Sequence, residues 1–143
     1  MKSDSFEIAM LIKEIYSSTV GAVSCGLKEI GLTHQQIMVI KLIAHNKKVN
    51  ISELCEEMSL SKGTVSGIVT RLESLGYVKK IKLEGDKRNT YVTFSNEGLE
   101  FAKEYKNKIN ESFDKVFKNL TEEEIKEVKS SLLKLRDKIK END

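Results

Sequence analysis

No proline interrupts this chain, and apolar residues recur at spacings of three and four along most of its length. That spacing is the period of one face of an α-helix, and an interior proline would break such a helix. The sequence therefore predicts a mainly α fold. The expected helices cover residues 4–30, 33–44, 53–58, 61–75, 95–120 and the chain from residue 121 onward.

Polar and small residues mark the expected helix ends. Ser and Thr are favoured N-caps, and glycine adopts the left-handed conformation that often follows a helix. The expected N-caps are Thr33, Ser52, Ser61, Ser95 and Thr121, the last in a capping box with Glu124. Gly31 and Gly76 are expected to end the helices before them, and residues 45–49 are expected to form a loop. Because a turn of only three residues, 59–61 with the cap Ser61 included, joins helix 53–58 to the next helix, these two helices predict a helix-turn-helix.

The apolar period changes from three or four to two between residues 77 and 94. Residues 77–83 and 90–94 alternate and are rich in β-branched and aromatic side chains, which is typical of strands. They flank a charged turn at residues 84–89. This region therefore predicts a small β-hairpin directly after the helix-turn-helix.

The first and last helices carry more apolar surface than the small central domain can cover. The apolar positions of interest are Ile8, Leu11, Ile12 and Ile15 in the first helix and Ile125, Val128, Leu132, Leu135 and Ile139 in the last. In the last helix these positions step by three and four, as in a heptad seam that faces a second helix. The pattern favours a homodimer, with packing inside one chain as the alternative.

Positive charge is concentrated in one part of the chain. Residues 61–91 contain seven Lys or Arg and three Asp or Glu, a net charge of +4, whereas the rest of the chain sums to −2. Such a basic region fits a footprint for nucleic-acid phosphates. Lysine also protects exposed strand edges, so the basic strands alone leave both interpretations open.

The outer face of helix 61–75 favours the nucleic-acid interpretation. It carries the short or hydrogen-bonding residues Lys62, Gly63, Thr64, Ser66, Gly67 and Thr70. Gly63 and Gly67 each cost a helix about 1 kcal/mol relative to alanine, which points to a close approach on that face. In the hairpin, Asp86 and Arg88 are placed so that the carboxylate braces the guanidinium for a narrow minor groove.

Together these segments resemble the winged helix-turn-helix regulators of the MarR family. The matching stretches are residues 31–36 (GLTHQQ), 51–58 (ISELCEEM), 59–66 (SLSKGTVS), 72–78 (LESLGYV), 86–88 (DKR) and 92–98 (VTFSNEG). The resemblance implies a winged domain at residues 33–94 and helical dimerisation regions at 1–32 and 95–143. It also implies a cytoplasmic homodimeric transcriptional regulator, most simply a repressor on a pseudo-palindromic operator.

The resemblance also implies which residues contact DNA and what releases it. The family's DNA-facing positions correspond to Ser61, Lys62, Thr64 and Ser66, its phosphate contact to Arg71, and its wing pair to Asp86 and Arg88. The outer face of helix 61–75 and the charged turn add Gly63, Gly67, Thr70 and Lys87 to the expected DNA-binding residues. The family often has an arginine where this chain has Gly67, so one contact is absent. A small aromatic or anionic effector is implied in a crevice near the first, second and fifth helices, although the sequence assigns no ligand-binding residue.

Other classes of function find little support in the sequence. Cys55 is expected to be a small core residue rather than a metal ligand, and Cys25 a packing or surface residue rather than a redox sensor. His34 and His45 are too far apart in sequence for a helical metal pair, so no metal or cofactor is expected. No catalytic set can be assembled, the longest apolar run is far short of a membrane span, and no secretory signal opens the chain. The alternatives are a redox- or metal-responsive regulator and a winged-helix module that binds only proteins.

Overall fold

A computed structural model describes residues 3–143 and confirms the mainly α fold with a small hairpin. The helices are α1 Asp4–Gly26, α2 His34–Asn46, α3 Ile51–Met58, α4 Lys62–Ser74, α5 Asn96–Val116 and α6 Glu122–Lys140, with a 3-10 turn at Lys28–Ile30. The strands are β1 Lys48–Asn50, β2 Val78–Leu83 and β3 Asp86–Phe94. They form an antiparallel sheet in the order β1-β3-β2. Within the described residues, no helix has the length and apolar character needed to cross a membrane.

The main core lies between the sheet and helices α2, α3 and α4, which together we call the winged lobe. Val65, Val69 and Leu72 from one face of α4 are fully buried there. Phe101 brings the first turns of α5 into the same cluster. The apolar stripe expected on helix 61–75 is therefore the face that fixes α4 to the lobe.

A second, smaller core joins α1 to the lobe and explains why α1 ends early. Leu27 was expected inside a helix that runs to residue 30, but the helix stops at Gly26. Leu27 is then buried with Val23, Ile37 and Ile109. A Cβ at Gly26 would lie 2.8 Å from Ser112 Oγ, so α5 packs closely against this end of α1.

The expected loop at residues 45–49 is wrong in two respects. Helix α2 continues to Asn46, and Lys48–Asn50 forms the edge strand β1 with buried Val49 at its centre. The N-cap of α3 is Asn50 rather than Ser52, because the Asn50 Oδ1 accepts a hydrogen bond from the Glu53 amide. Three residues are too few to show a period of two, so the sequence carried little signal for this strand.

The junction of α4 with the hairpin follows the expected pattern. Ser61 caps α4, and Gly76 follows its C-terminal end with φ of 87°. The next contact is very close, since a Cβ on Gly98 would lie 1.7 Å from the Tyr77 carbonyl oxygen. Only glycine fits there, and the start of α5 is thereby held against the base of the hairpin.

The hairpin turn is shorter than expected. It consists of Glu84 and Gly85, and β3 begins at Asp86 instead of residue 90. The register jumps from Ile81 opposite Tyr91 to Leu83 opposite Asp86, which leaves an irregular segment near the tip. Residues expected in a loose turn are therefore part of a bulged strand.

The last two helices differ strongly in how much they bury. Helix α5 ends at Val116 instead of the expected residue 120, so Leu120 lies outside it. Helix α6 begins with the expected Thr121–Glu124 capping box, yet none of its residues is buried. Its apolar face is open to solvent.

Candidate nucleic-acid interface

Helices α3 and α4 meet in a tight helix-turn-helix. Ser59 ends α3 in the left-handed conformation with φ of 53°, and Ser61 begins α4 two residues later. The Ser61 Oγ accepts a hydrogen bond from the Thr64 amide and lies 2.9 Å from the Thr64 hydroxyl. The N-terminus of α4 is thus fixed by its own cap and does not depend on a ligand.

The face of α4 opposite its buried stripe is open and lined by small side chains. An added Cβ at Gly63 or Gly67 would meet no heavy atom within 4 Å, so packing within this protein does not require glycine at either position. The other expected contact residues of the helix are Ser61, Lys62, Thr64, Thr70 and Arg71, which are exposed, and Ser66, which is half-buried. This face can approach another surface closely.

Lysine side chains connect the hairpin to α4 and across its own strands. The Lys80 Nζ donates a hydrogen bond to Thr70 Oγ1 at 3.1 Å and lies 3.7 Å from Glu73 Oε1. The Lys82 Nζ donates to the Lys87 carbonyl oxygen at 3.2 Å. Lys80 was not among the residues singled out from the sequence, because nothing in the sequence shows which basic residues of the strand reach α4.

Asp86 organises the tip of the hairpin through Asn89, Tyr91 and the Arg88 backbone amide, rather than by bracing the Arg88 guanidinium as expected. Its carboxylate accepts hydrogen bonds from the Asn89 amide, the Asn89 side chain and the Tyr91 hydroxyl. The irregular register explains the change of partner, since the chain folds back onto the carboxylate at Asn89. Lys87 and Arg88 are left exposed at the tip.

These contacts shift the ionisation of two groups in the hairpin. The hydrogen bond from Asn89 is the main cause that lowers the pKa of Asp86 below its ordinary value. Partial burial and the hydrogen bond to Asp86 raise the pKa of Tyr91. Asp86 therefore stays ionised at neutral pH, where it can hold the tip in one conformation.

The helix-turn-helix followed by a β-hairpin agrees with the similarity of this sequence to known transcriptional regulators. A sequence model of the MarR family matches residues 30–89. The HTH-type transcriptional regulator SarZ of Staphylococcus aureus is 32% identical over 108 residues, which cover 74% of this chain and 70% of SarZ. The chain belongs to the MarR family. It is a DNA-binding transcriptional regulator and not an enzyme, as the sequence predicted.

Solved structures of MarR-family regulators share the fold over nearly the whole chain. A cysteine-to-serine mutant of E. coli MarR, solved in complex with operator DNA, has a TM-score of 0.81 at 21% identity and covers 92% of this chain and 95% of that one. NadR, solved in complex with 4-hydroxyphenylacetate, has a TM-score of 0.81 at 24% identity, with 94% and 96% covered. The likeness therefore includes α1 and α6 as well as the winged lobe.

In this MarR-family protein, the terminal helices α1 and α6 present their apolar residues to solvent. Exposed fractions lie between 44% and 57% for Ile8, Leu11, Ile12, Ile15, Ile125, Val128, Leu132 and Ile139, whereas Leu135 is half-buried. Helix α1 buries Val23 alone among its described residues. The stripes predicted from the sequence are thus present and uncovered in the single chain.

A crevice of about 600 Å³ lies between α2, β3 and α5 of the MarR-family chain. Its floor is apolar, and its rim carries His45 and the four lysines Lys41, Lys47, Lys103 and Lys106. The Lys41 Nζ donates to Asn110 Oδ1 at 2.6 Å and lies 5.5 Å from the centre of the Phe113 ring. The residues that line this crevice come from α2, β3, α5 and Lys47, and none of them belongs to α1.

The two cysteines and two histidines do not form a common site in the described residues. Cys25 is an exposed free thiol, and Cys55 is a half-buried free thiol packed against the core of the lobe. His34 is half-buried, and His45 is exposed at the crevice. Residues 3–143 contain no group of three or more His, Cys, Asp or Glu side chains placed to hold a metal ion.

Proposed function

We propose that this protein is a homodimeric repressor that binds a pseudo-palindromic operator and is released from it by a small ligand. Each α4 enters a major groove, and each wing (β2, β3 and their turn) enters the flanking minor groove. The two α4 helices then read half-sites about 34–36 Å apart, or one helical turn. Such a protein acts in the cytoplasm, where its operator lies.

The exposed apolar faces of α1 and α6 are the single observation that carries this proposal. The accessible surface of the chain is 10701 Å². A compact monomer of this mass exposes roughly 7,500 Å². The excess, about 3,000 Å² per chain or about 6,000 Å² for two chains, is comparable to the total area that a large obligate homodimer buries. An amphipathic helix such as α6 gains most of its stability by packing its apolar face, and a second copy of the chain provides that packing.

The face of α4 and the wing support double-stranded DNA as the partner. Lys62 and Arg71 of α4 and Lys87 and Arg88 of the wing are exposed, and the region from residue 61 to 91 has a net charge of +4. In this proposal the expected contact set acts as a unit. Ser61, Lys62, Gly63, Thr64, Ser66, Gly67 and Thr70 face bases and nearby phosphates, Arg71 contacts the backbone, and Asp86, Lys87 and Arg88 form the wing contact.

The crevice between α2, β3 and α5 supports a small anionic aromatic effector. Its volume falls in the range of small-molecule sites, and lysines around an apolar floor suit a ring that carries a carboxylate. NadR was solved with a ligand of that chemistry. A ligand in this crevice contacts both the lobe and α5, so it can favour one position of the lobe relative to α5. If that position spaces the two α4 helices differently from the two half-sites, the ligand shifts the dimer away from its operator.

The experiment that tests the proposal begins with selection of bound genomic fragments by the purified protein. The logarithm of the binding constant should then fall linearly with the logarithm of salt concentration, by about 0.9 for each phosphate neutralised. Small aromatic acids should release the selected duplex. Binding that shows no sequence preference and no response to salt would contradict the proposal and favour a protein-interaction module.

A further inference from the structure

Lys80 occupies a distinctive place between α4 and the wing. It lies opposite Val92 in the β2–β3 register, so it shares the helix-facing side of the sheet with buried Val78 and Val92. Its side chain is nonetheless 35% exposed. The ammonium group therefore reaches the surface at the boundary between the two elements, where Thr70 and Glu73 meet it.

The groove geometry of DNA places a phosphate strand at this boundary. In a duplex, a sugar-phosphate strand separates each major groove from the adjacent minor groove. A protein with α4 in one groove and its wing in the next must straddle that strand. This step rests on the proposed function, and it puts the strand over the surface between α4 and β2.

We propose that Lys80 and Thr70 form a phosphate clamp for this dividing strand, with Glu73 as its internal counter-ion. One N–H of the Lys80 ammonium donates to Thr70 Oγ1, which leaves two N–H groups for a phosphate oxygen. Because the Thr70 oxygen accepts that bond, its own O–H is oriented to donate elsewhere. Both groups of the clamp can then donate to one phosphate.

Glu73 adjusts the strength of the clamp. Its carboxylate lies 3.7 Å from the Lys80 Nζ and competes with phosphate for the same cation. It is also a negative charge beside the path of the strand. Removing this charge strengthens DNA binding, whereas removing the Lys80 charge weakens it.

Lys79 supplies a matched control within the same strand. It is exposed and lies opposite Thr93, so its side chain is on the other face of the sheet from Lys80. Lys79→Gln and Lys80→Gln change the net charge equally. A difference between them therefore reports a local contact rather than general attraction to DNA.

The experiment is a salt titration of binding to a duplex that the wild-type protein selects from genomic fragments. Lys80→Gln should reduce the slope of log K against log salt by about 1.8, or 0.9 for each protomer of the dimer, and lower affinity about sixtyfold near 0.1 M salt. Lys79→Gln should leave the slope close to that of the wild type. Glu73→Gln should raise affinity roughly two- to thirtyfold, the effect of one surface ion pair in each protomer. The gain should shrink in the Lys80→Gln background because the two residues are coupled.

Thermal unfolding checks that all variants remain folded, as expected for exposed positions. Equal slopes for Lys79→Gln, Lys80→Gln and the wild type would overturn the clamp while leaving the DNA-binding proposal intact. A Glu73→Gln variant that binds more weakly would also overturn it. A wild-type protein that binds no duplex in a salt-dependent way would overturn the proposed function, and the clamp with it.

Discussion

The winged lobe buries its apolar residues within one chain, whereas the terminal helices α1 and α6 leave theirs exposed. Leu54 and Leu72 of the lobe are fully buried, but Leu11 of α1 and Leu132 of α6 are 53% and 55% exposed. The lobe therefore has the contacts needed for its own stability. In the proposed homodimer the terminal helices gain theirs from a second copy, and their order would then depend on protein concentration.

The largest expected effect comes from charging the exposed face of α6. Leu132→Glu with Leu135→Glu places two carboxylates in the interface and should convert the dimer to monomers. Operator affinity should fall by about 100-fold or more, because the two half-sites are then bound independently. Sedimentation velocity and binding to a duplex with two half-sites measure both effects.

The control for this change lies on the opposite side of the same helix. Ser130 is exposed and faces away from the apolar stripe, so Ser130→Glu should leave both the dimer and operator affinity unchanged. A charged double variant that still bound the duplex as tightly as the wild type would show that α6 is not an interface.

A second pair of variants separates core stability from association. Leu72→Ala should lower the free energy of unfolding by about 2–5 kcal/mol because it leaves a cavity in the lobe. It should leave the dimer dissociation constant unchanged. Leu11→Ala should raise the dissociation constant and leave the lobe intact. Urea unfolding measures the free energy of unfolding, and sedimentation measures the dimer dissociation constant. A Leu72→Ala variant that weakened the dimer, with a Leu11→Ala variant that destabilised only the lobe, would contradict the distinction between the two regions.

A substitution in the wing should have a smaller effect on operator binding and should leave the dimer unchanged. Arg88→Ala should weaken operator binding about tenfold and reduce the preference for A·T pairs beside each half-site, since a narrow minor groove attracts the guanidinium. Lys118 is exposed and outside the expected contact set, and Lys118→Ala serves as a control of equal charge. Competition between duplexes with A·T and G·C flanks measures the preference. An unchanged preference in Arg88→Ala would show that Arg88 does not contact the minor groove.

The smallest expected effect concerns the hydrogen bonds by which ionised Asp86 holds the tip of the wing. Hydrogen bonds from Asn89 lower the pKa of Asp86 from its ordinary value of 3.8, so its ionised form is favoured in the folded state. The stabilisation is present above pH 3.8 and is lost as the pH falls through the lowered pKa. Amide exchange of Asn89 should therefore be faster in Asp86→Asn than in the wild type at neutral pH. Equal exchange at neutral pH would mean that Asp86 does not hold the tip.

The helices of this protein could be predicted from its sequence wherever a clear local signal marks their ends. Ser61 and the Thr121–Glu124 box cap α4 and α6 as expected, and Gly76 follows α4 with a positive φ. The element that the sequence did not predict, strand β1, depends on a partner that is distant in sequence. Strand β1 exists because Val49 packs opposite Val92, and no local pattern reports a pairing over that separation.

The candidate site could be predicted in composition but not in arrangement. The sequence identified a basic wing and the small outer face of α4, and the structure exposes both. It did not reveal that Asp86 binds Asn89 and Tyr91, or that Lys80 reaches Thr70. These contacts follow from a register jump in β3 and from the side of the sheet on which Lys80 lies.

The mass of the wild-type protein in solution tests the central claim most directly. Sedimentation velocity at micromolar concentration should give a particle of twice the 16.2 kDa chain mass, and addition of the selected duplex should give one dimer for each pair of half-sites. A single 16.2 kDa particle that ignores the duplex in dilute buffer would contradict the account.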